Sequence, residues 1–218
     1  MEILILYFVL FFPGVFASPA AADLINGSIQ TIPFSVQQNL VRTLVWSLPS
    51  LALLWYLITD KKGLPAMAGF KPEKRDLLPF SLGLCGLFII GLGISFSASF
   101  LSDYTGLTIP PKIEAPVSAA GWMVMVFTCL GTGYLEESYF RYYLLMKLEN
   151  TVSRASLKIA FSTLLFSLCH AYEGPWGIFN SVLAGVFLSL LFIRYRSLHG
   201  IAWAHAGYNM LVYIMAAQ

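Results

Sequence analysis

Charge is what this sequence has least of. Asp, Glu, Lys and Arg make up 11% of its 218 residues, against 58% hydrophobic residues. Soluble domains carry roughly 25% charged residues, so a soluble globular domain is excluded. Disorder is excluded too, because it needs low hydrophobicity and high charge. The formal net charge of +2 offers no basic surface for nucleic acid. Cysteine is scarce: Cys85, Cys129 and Cys169 each lie inside an apolar run. They form no disulfide framework and read as small, buried packing residues. Three chemical signatures are missing as well: a Gly-rich phosphate loop, an HExxH zinc helix and a GxSxG nucleophile elbow.

What the chain has is long runs without charge. They cover residues 3–22, 43–59, 77–102, 115–135, 159–172, 174–193 and 197–218, and the mean hydropathy is +0.74. About 20 apolar residues cross a bilayer as a helix. Membrane-spanning strands would alternate in short segments, which these runs do not. The expected fold is therefore all-α, a polytopic transmembrane bundle of six to seven helices with a polar site inside it. Residues 1–22 read as an N-terminal transmembrane helix or a signal-like segment. Small residues follow the apolar stretch, but Glu2 stands where a signal peptide has its basic region. Residues 23–218 form the helical membrane domain.

Basic residues gather on alternate loops. Lys61, Lys62, Lys71, Lys74 and Arg75 share one linker, and Arg141, Lys147, Arg154 and Lys158 flank another turn. Arg194 and Arg196 fill a third, and of the 13 basic residues only Arg42 and Lys112 fall on the opposite side. Positive loops stay cytoplasmic, so loop 60–76 is expected inside and loop 103–114 outside. The spacing of Ser181, Gly185 and Ser189 marks a close helix–helix contact.

One charged cluster lies within an apolar stretch: Glu136-Glu137-Ser-Tyr-Phe-Arg141. Ionisable groups at membrane depth are costly and mark function. Glu137 and Arg141, at i,i+4, can pair on one helix face, while Glu136 points about 100° away. Two histidines lie at comparable depth. His170 ends the run Phe166-Ser-Leu-Cys-His, and His205 opens His-Ala-Gly-Tyr-Asn209. His199, in the basic turn, is expected at the interface. At about 1.5 Å per helical residue from the flanking basic residues, Glu136, His170, His205 and Asn209 all lie roughly 13–20 Å deep. The hydrocarbon core is about 30 Å thick, so the four meet near its middle. A glutamate and a histidine around a water can make a nucleophile, and His205 and Asn209 can donate to an oxyanion. His170, His205 and Glu136 also make a ligand set suited to hydrolytic Zn2+. Metal-dependent and metal-free water activation stand side by side.

In these residues the sequence resembles the CAAX prenyl protease and bacteriocin-processing (CPBP, or Abi) family of intramembrane proteases. The family pattern is EExxxR, FxxxH and HxxxN on separate transmembrane helices. Here it reads Glu136-Glu137-Ser-Tyr-Phe-Arg141, Phe166-Ser-Leu-Cys-His170 and His205-Ala-Gly-Tyr-Asn209. The stretch Asn180-Ser-Val-Leu-Ala-Gly185 is also similar, and the resemblance covers about residues 121–213. It implies an intramembrane endopeptidase acting on a membrane-associated or lipidated protein or peptide, in a multi-pass protein of a prokaryotic cell membrane. By the same resemblance Glu136 and His170 activate water and His205 and Asn209 hold the oxyanion. Glu137, Arg141 and Phe166 support them, with Zn2+ or a metal-free glutamate mechanism behind the chemistry. Two other readings compete: a non-catalytic immunity or scaffold protein of this fold, and a proton-coupled carrier. A carrier commonly shows internal symmetry, and none is visible here.

Overall fold

The computed structural model describes residues 1–15, 31–60, 71–107, 112–149 and 151–218. Parts of the expected linkers around 26–38, 60–76 and 103–114, and of segment 1–22, lie outside the described residues. Seven helices are present among the described residues: α1 (Glu2–Val15), α2 (36–60), α3 (Leu77–Thr105), α4 (119–149), α5 (Ala155–Leu168), α6 (Gly174–Tyr195) and α7 (Leu198–Ala216). Two of them widen internally into a π-helix, α2 over Arg42–Ser47 and α4 over Ser138–Leu145.

Helix ends follow local chemistry. Ser118 Oγ accepts from Gly121 N–H at 3.1 Å and starts α4, and Ser197 Oγ accepts from Gly200 N–H at 2.9 Å and starts α7. A side-chain oxygen at this position satisfies a helix donor that has no intrahelical partner. Helix α3 stops at Gly106 with φ 67°, the left-handed conformation that glycine adopts without strain.

Three helical stretches among the described residues are long and apolar enough to cross a membrane: Val36–Thr59, Lys74–Ser102 and Ala171–Tyr195. Helix α4 runs unbroken through the charged cluster, so the run expected at 115–135 continues to residue 149. Helix α5 is shorter than the span expected at 159–172. Its 14 residues reach roughly 21 Å, less than a bilayer core, and it ends in a turn at Cys169 and His170.

Polarity is inverted relative to a soluble protein. Phe96, Phe100, Ile89, Leu44 and Val45 are exposed, while Glu137, Arg141 and Ser162 are sealed inside. Such an exterior suits lipid, which offers backbone groups no partner and so forces helical spans. Cys129 and Cys169 are buried as expected, but Cys85 is exposed, because its side of α3 faces outward. The largest core is built around the lower half of α4, where Tyr139, Phe140, Tyr142, Tyr143 and Leu144 pack with Leu188 of α6 and Ile201 of α7.

The two ends of the bundle are tied differently. At one, Thr31 and Ile32 pair in parallel with Lys112 and Ile113. At the other, Lys147 meets Glu2 at 3.5 Å, Arg196 pairs with Glu149, and Ser197 Oγ donates to Asp76 Oδ1 at 2.6 Å. Residues 31–32 and 112–113 thus share an end opposite the basic turns.

Candidate active site

The site forms where α4, α5 and α7 meet. Helices α4 and α7 approach closely at Gly133: a Cβ built there would lie 2.9 Å from the carbonyl oxygen of Ala202 and 3.1 Å from the nitrogen of Ala206. No larger residue fits against backbone at that distance. The close crossing brings His205 of α7 onto the acidic pair of α4.

Glu137 lies at the centre of the ionic contacts. Its Oε1 accepts from Arg141 Nη1 at 3.0 Å and from His205 Nδ1 at 2.7 Å. Glu137 and Arg141 are fully buried. The i,i+4 geometry read from the sequence is the geometry found. Glu136 turns the other way, and its Oε2 lies 3.7 Å from His205 Nε2. That oxygen is buried without a hydrogen-bond partner among the described residues. The two carboxylates therefore hold opposite sides of one imidazole.

The π-helix begins immediately after Glu137. A wider turn of this kind is costly and recurs at functional sites. Here neighbouring helices pin it. Trp55 of α2 donates from Nε1 to Ser138 Oγ at 3.0 Å, and Ser162 of α5 donates to the Phe140 carbonyl at 2.8 Å. Tyr139 of the same turn donates to the Ile3 carbonyl of α1 at 2.7 Å.

His170 enters from the end of α5. Its Nδ1 is 2.9 Å from the carbonyl of Phe166. A carbonyl only accepts, so Nδ1 carries the proton and Nε2 is left as the acceptor. His205 follows the same logic: an ionised Glu137 only accepts, so Nδ1 donates and Nε2 faces Glu136. Phe166 joins the parts. Its ring centroid lies 4.6 Å from that of His170 and 6.1 Å from that of His205, and Arg141 Cζ sits 4.2 Å from it on the opposite helix. A cation over a ring face gains about 0.5–2 kcal/mol, more when desolvated. Gly185 of α6 leaves room for this, because a Cβ there would meet Phe166 Cδ1 at 3.3 Å and Thr163 Cγ2 at 3.1 Å.

Asn209 lies one turn beyond His205 on α7 and is half-buried. Among the described residues its amide bonds to none of the other three. His199 departs from expectation: it is buried, and its Nδ1 lies 2.8 Å from the Tyr134 hydroxyl. Helix packing around the first turn of α7 covers it. Among the described residues no three His, Cys, Asp or Glu side chains come close enough to hold a metal ion. As placed here, Glu136, His170 and His205 do not converge as a three-ligand zinc site.

Sequence reasoning did not single out Ser138, Ser162, Trp55 or Tyr7, all of which hold the site's framework. Their partners are backbone groups or residues far along the chain, which periodicity does not reveal.

Residues 118–211 match the model of a known family, described as type II CAAX prenyl endopeptidase Rce1-like. The matched segment contains all three motifs, and the resemblance read from them is borne out. No curated protein and no solved structure matches the chain.

Proposed function

With residues 118–211 matching the Rce1-like family of type II CAAX prenyl endopeptidases, we propose that this chain is an intramembrane endopeptidase. Its substrate is a membrane-associated or lipidated protein or peptide, and it uses water activated by side chains. The observation that carries the reading is the pair of fixed imidazoles. Nδ1 of each is tied, His170 to the Phe166 carbonyl and His205 to Glu137, and Nε2 of His205 faces Glu136.

The chemistry follows from those assignments. A water held by His170 Nε2 gives its proton to Glu136 Oε2, and the resulting hydroxide attacks the scissile carbonyl carbon. The carbonyl π electrons move to oxygen. That oxyanion receives hydrogen bonds from His205 Nε2–H, which exists when the ring is an imidazolium, and from the Asn209 amide. Collapse breaks the C–N bond, and Glu136 returns the proton to the leaving nitrogen. General acid–base catalysis of this type contributes about 10²–10⁴-fold. Glu137 and Arg141 act through His205: the carboxylate fixes the ring, and the guanidinium neutralises the carboxylate.

The test is cleavage of a peptide library, with and without a prenylated cysteine, by the full chain in liposomes. Wild type should cleave and His170→Ala should not, with and without a chelator. Loss of wild-type activity on chelation, restored by Zn2+, would replace this mechanism with a metal-dependent one. A wild-type chain that cleaves nothing would return the scaffold and carrier readings.

A further inference from the structure

The end of helix α5 is shaped by hydrogen bonds that come from α1. At the last turn the backbone tightens. Cys169 N–H donates to the Phe166 carbonyl at 3.2 Å and His170 N–H to the Ser167 carbonyl at 3.0 Å, each three residues back. An α-helix would take these bonds four residues back, to Leu165 and Phe166. A 3₁₀ ending therefore takes the Leu165 carbonyl out of the backbone ladder, while the Phe166 carbonyl accepts from Cys169 N–H in place of His170 N–H; a buried carbonyl left out of the ladder needs a partner.

The Phe166 carbonyl accepts a second bond from the His170 ring. The Leu165 carbonyl accepts from the hydroxyl of Tyr7, on α1, at 3.1 Å. The Cys169 thiol closes the group, 3.4 Å from the Tyr7 oxygen and 3.5 Å from the Leu165 carbonyl. Tyr7 is 3% exposed and stands among Leu6, Leu10 and Phe11, all buried. Its ring reaches Phe140 of the π-helix at 6.4 Å. No other role is evident for a phenol hydroxyl in so apolar a setting.

We propose that Tyr7 is a positioning residue for His170: by holding the Leu165 carbonyl, its hydroxyl selects the 3₁₀ ending of α5, and that ending turns His170 so that its ring reaches the Phe166 carbonyl. Without that hydroxyl, Leu165 O is satisfied by Cys169 N–H in the ordinary α register. His170 N–H then moves from the Ser167 to the Phe166 carbonyl, the His170 backbone rotates with it, and the ring is carried away from its present bond. Helix α1, which reads in sequence as a transmembrane helix or a signal-like segment, is on this account part of the functional unit. The catalytic consequence rests on the proposed protease reading; the structural one does not.

The experiment uses the full chain in nanodiscs with 15N-histidine labelling. In wild type the His170 Nδ1–H should show the signature of a hydrogen-bonded proton. In Tyr7→Phe that signal should shift or broaden, while those of His199 and His205 stay. Turnover should fall about fivefold at unchanged KM, the effect of one hydrogen bond of roughly 1 kcal/mol. Phe11→Leu removes packing from α1 but keeps the hydroxyl. It should lower the melting temperature and leave the His170 signal in place. An unchanged His170 signal in Tyr7→Phe, or the same shift in Phe11→Leu, would overturn the proposal. If Tyr7→Phe does not fold, Leu165→Pro is no substitute, and Tyr7→Trp, which fills the space with its donor displaced, gives the same two readouts. Because the spectrum needs no substrate, failure of the protease reading leaves the positioning claim separately decided.

Discussion

Glu137 and His205 are locked together, Oε1 to Nδ1 at 2.7 Å, with the carboxylate fully buried. This contact joins the two helices that carry most of the site, and it fixes which nitrogen of the imidazole faces Glu136. Glu137→Gln preserves the shape, but an amide can present either its oxygen or its nitrogen to the ring. We expect turnover to fall by about 10–100-fold, the usual loss when a group behind a functional histidine is changed. The His205 ring-nitrogen shifts should report a mixture of tautomers. Full turnover with an unchanged spectrum would show that Glu137 does not orient the ring.

Arg141 completes that charge balance. Its removal leaves Glu137 charged and unpaired in an apolar interior, a change that costs about 3–5 kcal/mol. Arg141→Ala should lower the melting temperature in detergent more than Glu137→Ala/Arg141→Ala does. A double-mutant cycle measures the coupling, and strictly additive losses would contradict the 3.0 Å contact.

Two glycines on α4 should respond differently to a single methyl group. At Gly133 the added Cβ meets backbone of α7 at 2.9 and 3.1 Å, whereas at Gly131 it meets Thr43 Cγ2 at 3.5 Å and Ser47 Cβ at 3.6 Å. Gly133→Ala should push α7 away and separate His205 from Glu137, reducing both stability and turnover. Gly131→Ala should be tolerated, within about 0.5 kcal/mol, like other substitutions away from special features. Thermal melting and cleavage rates of the two variants check this, and equal behaviour would count against the close crossing.

Orientation can be read from single-cysteine labelling. The exposed Cys85 must first be replaced. Lys71→Cys should then label from the cytoplasmic side and Lys112→Cys from the outside, because basic loops are retained inside. Labelling of both from the same side would break the alternation of spans.

The sequence made the helical bundle legible because lipid leaves few options: charge-free runs of membrane length have to be helices. It also made the Glu137–Arg141 pair legible, since i,i+4 spacing is a property of the helix itself. The short α5 was not legible. Residues 169–172 hold no charge, Gly or Pro to mark an earlier end, and the Tyr7 hydroxyl that meets the Leu165 carbonyl at that turn lies 158 residues away. The π-helix after Glu137 was hidden for the same reason, being held by Trp55, Ser162 and the Ile3 carbonyl rather than by local propensity. His199 was misplaced because its position in a basic turn says nothing of the Tyr134 hydroxyl that meets it.

Loss of Asn209 should be milder than loss of Glu136. On the proposed mechanism Asn209→Ala deletes one oxyanion donor, and such deletions cost about 10²–10³-fold in turnover. Its KM should change little, since the oxyanion exists only in the transition state. Rates measured across a substrate concentration series separate the two parameters. A purely KM effect would place Asn209 in substrate binding instead.

The most direct test of the central claim is single-turnover cleavage by Glu136→Gln in liposomes, with melting temperature measured on the same preparation. The substitution keeps the size of the side chain and removes the carboxylate proposed as the base, whose Oε2 faces His205 at 3.7 Å. We predict wild-type thermal stability and no detectable hydrolysis. Cleavage at the wild-type rate would contradict water activation by Glu136.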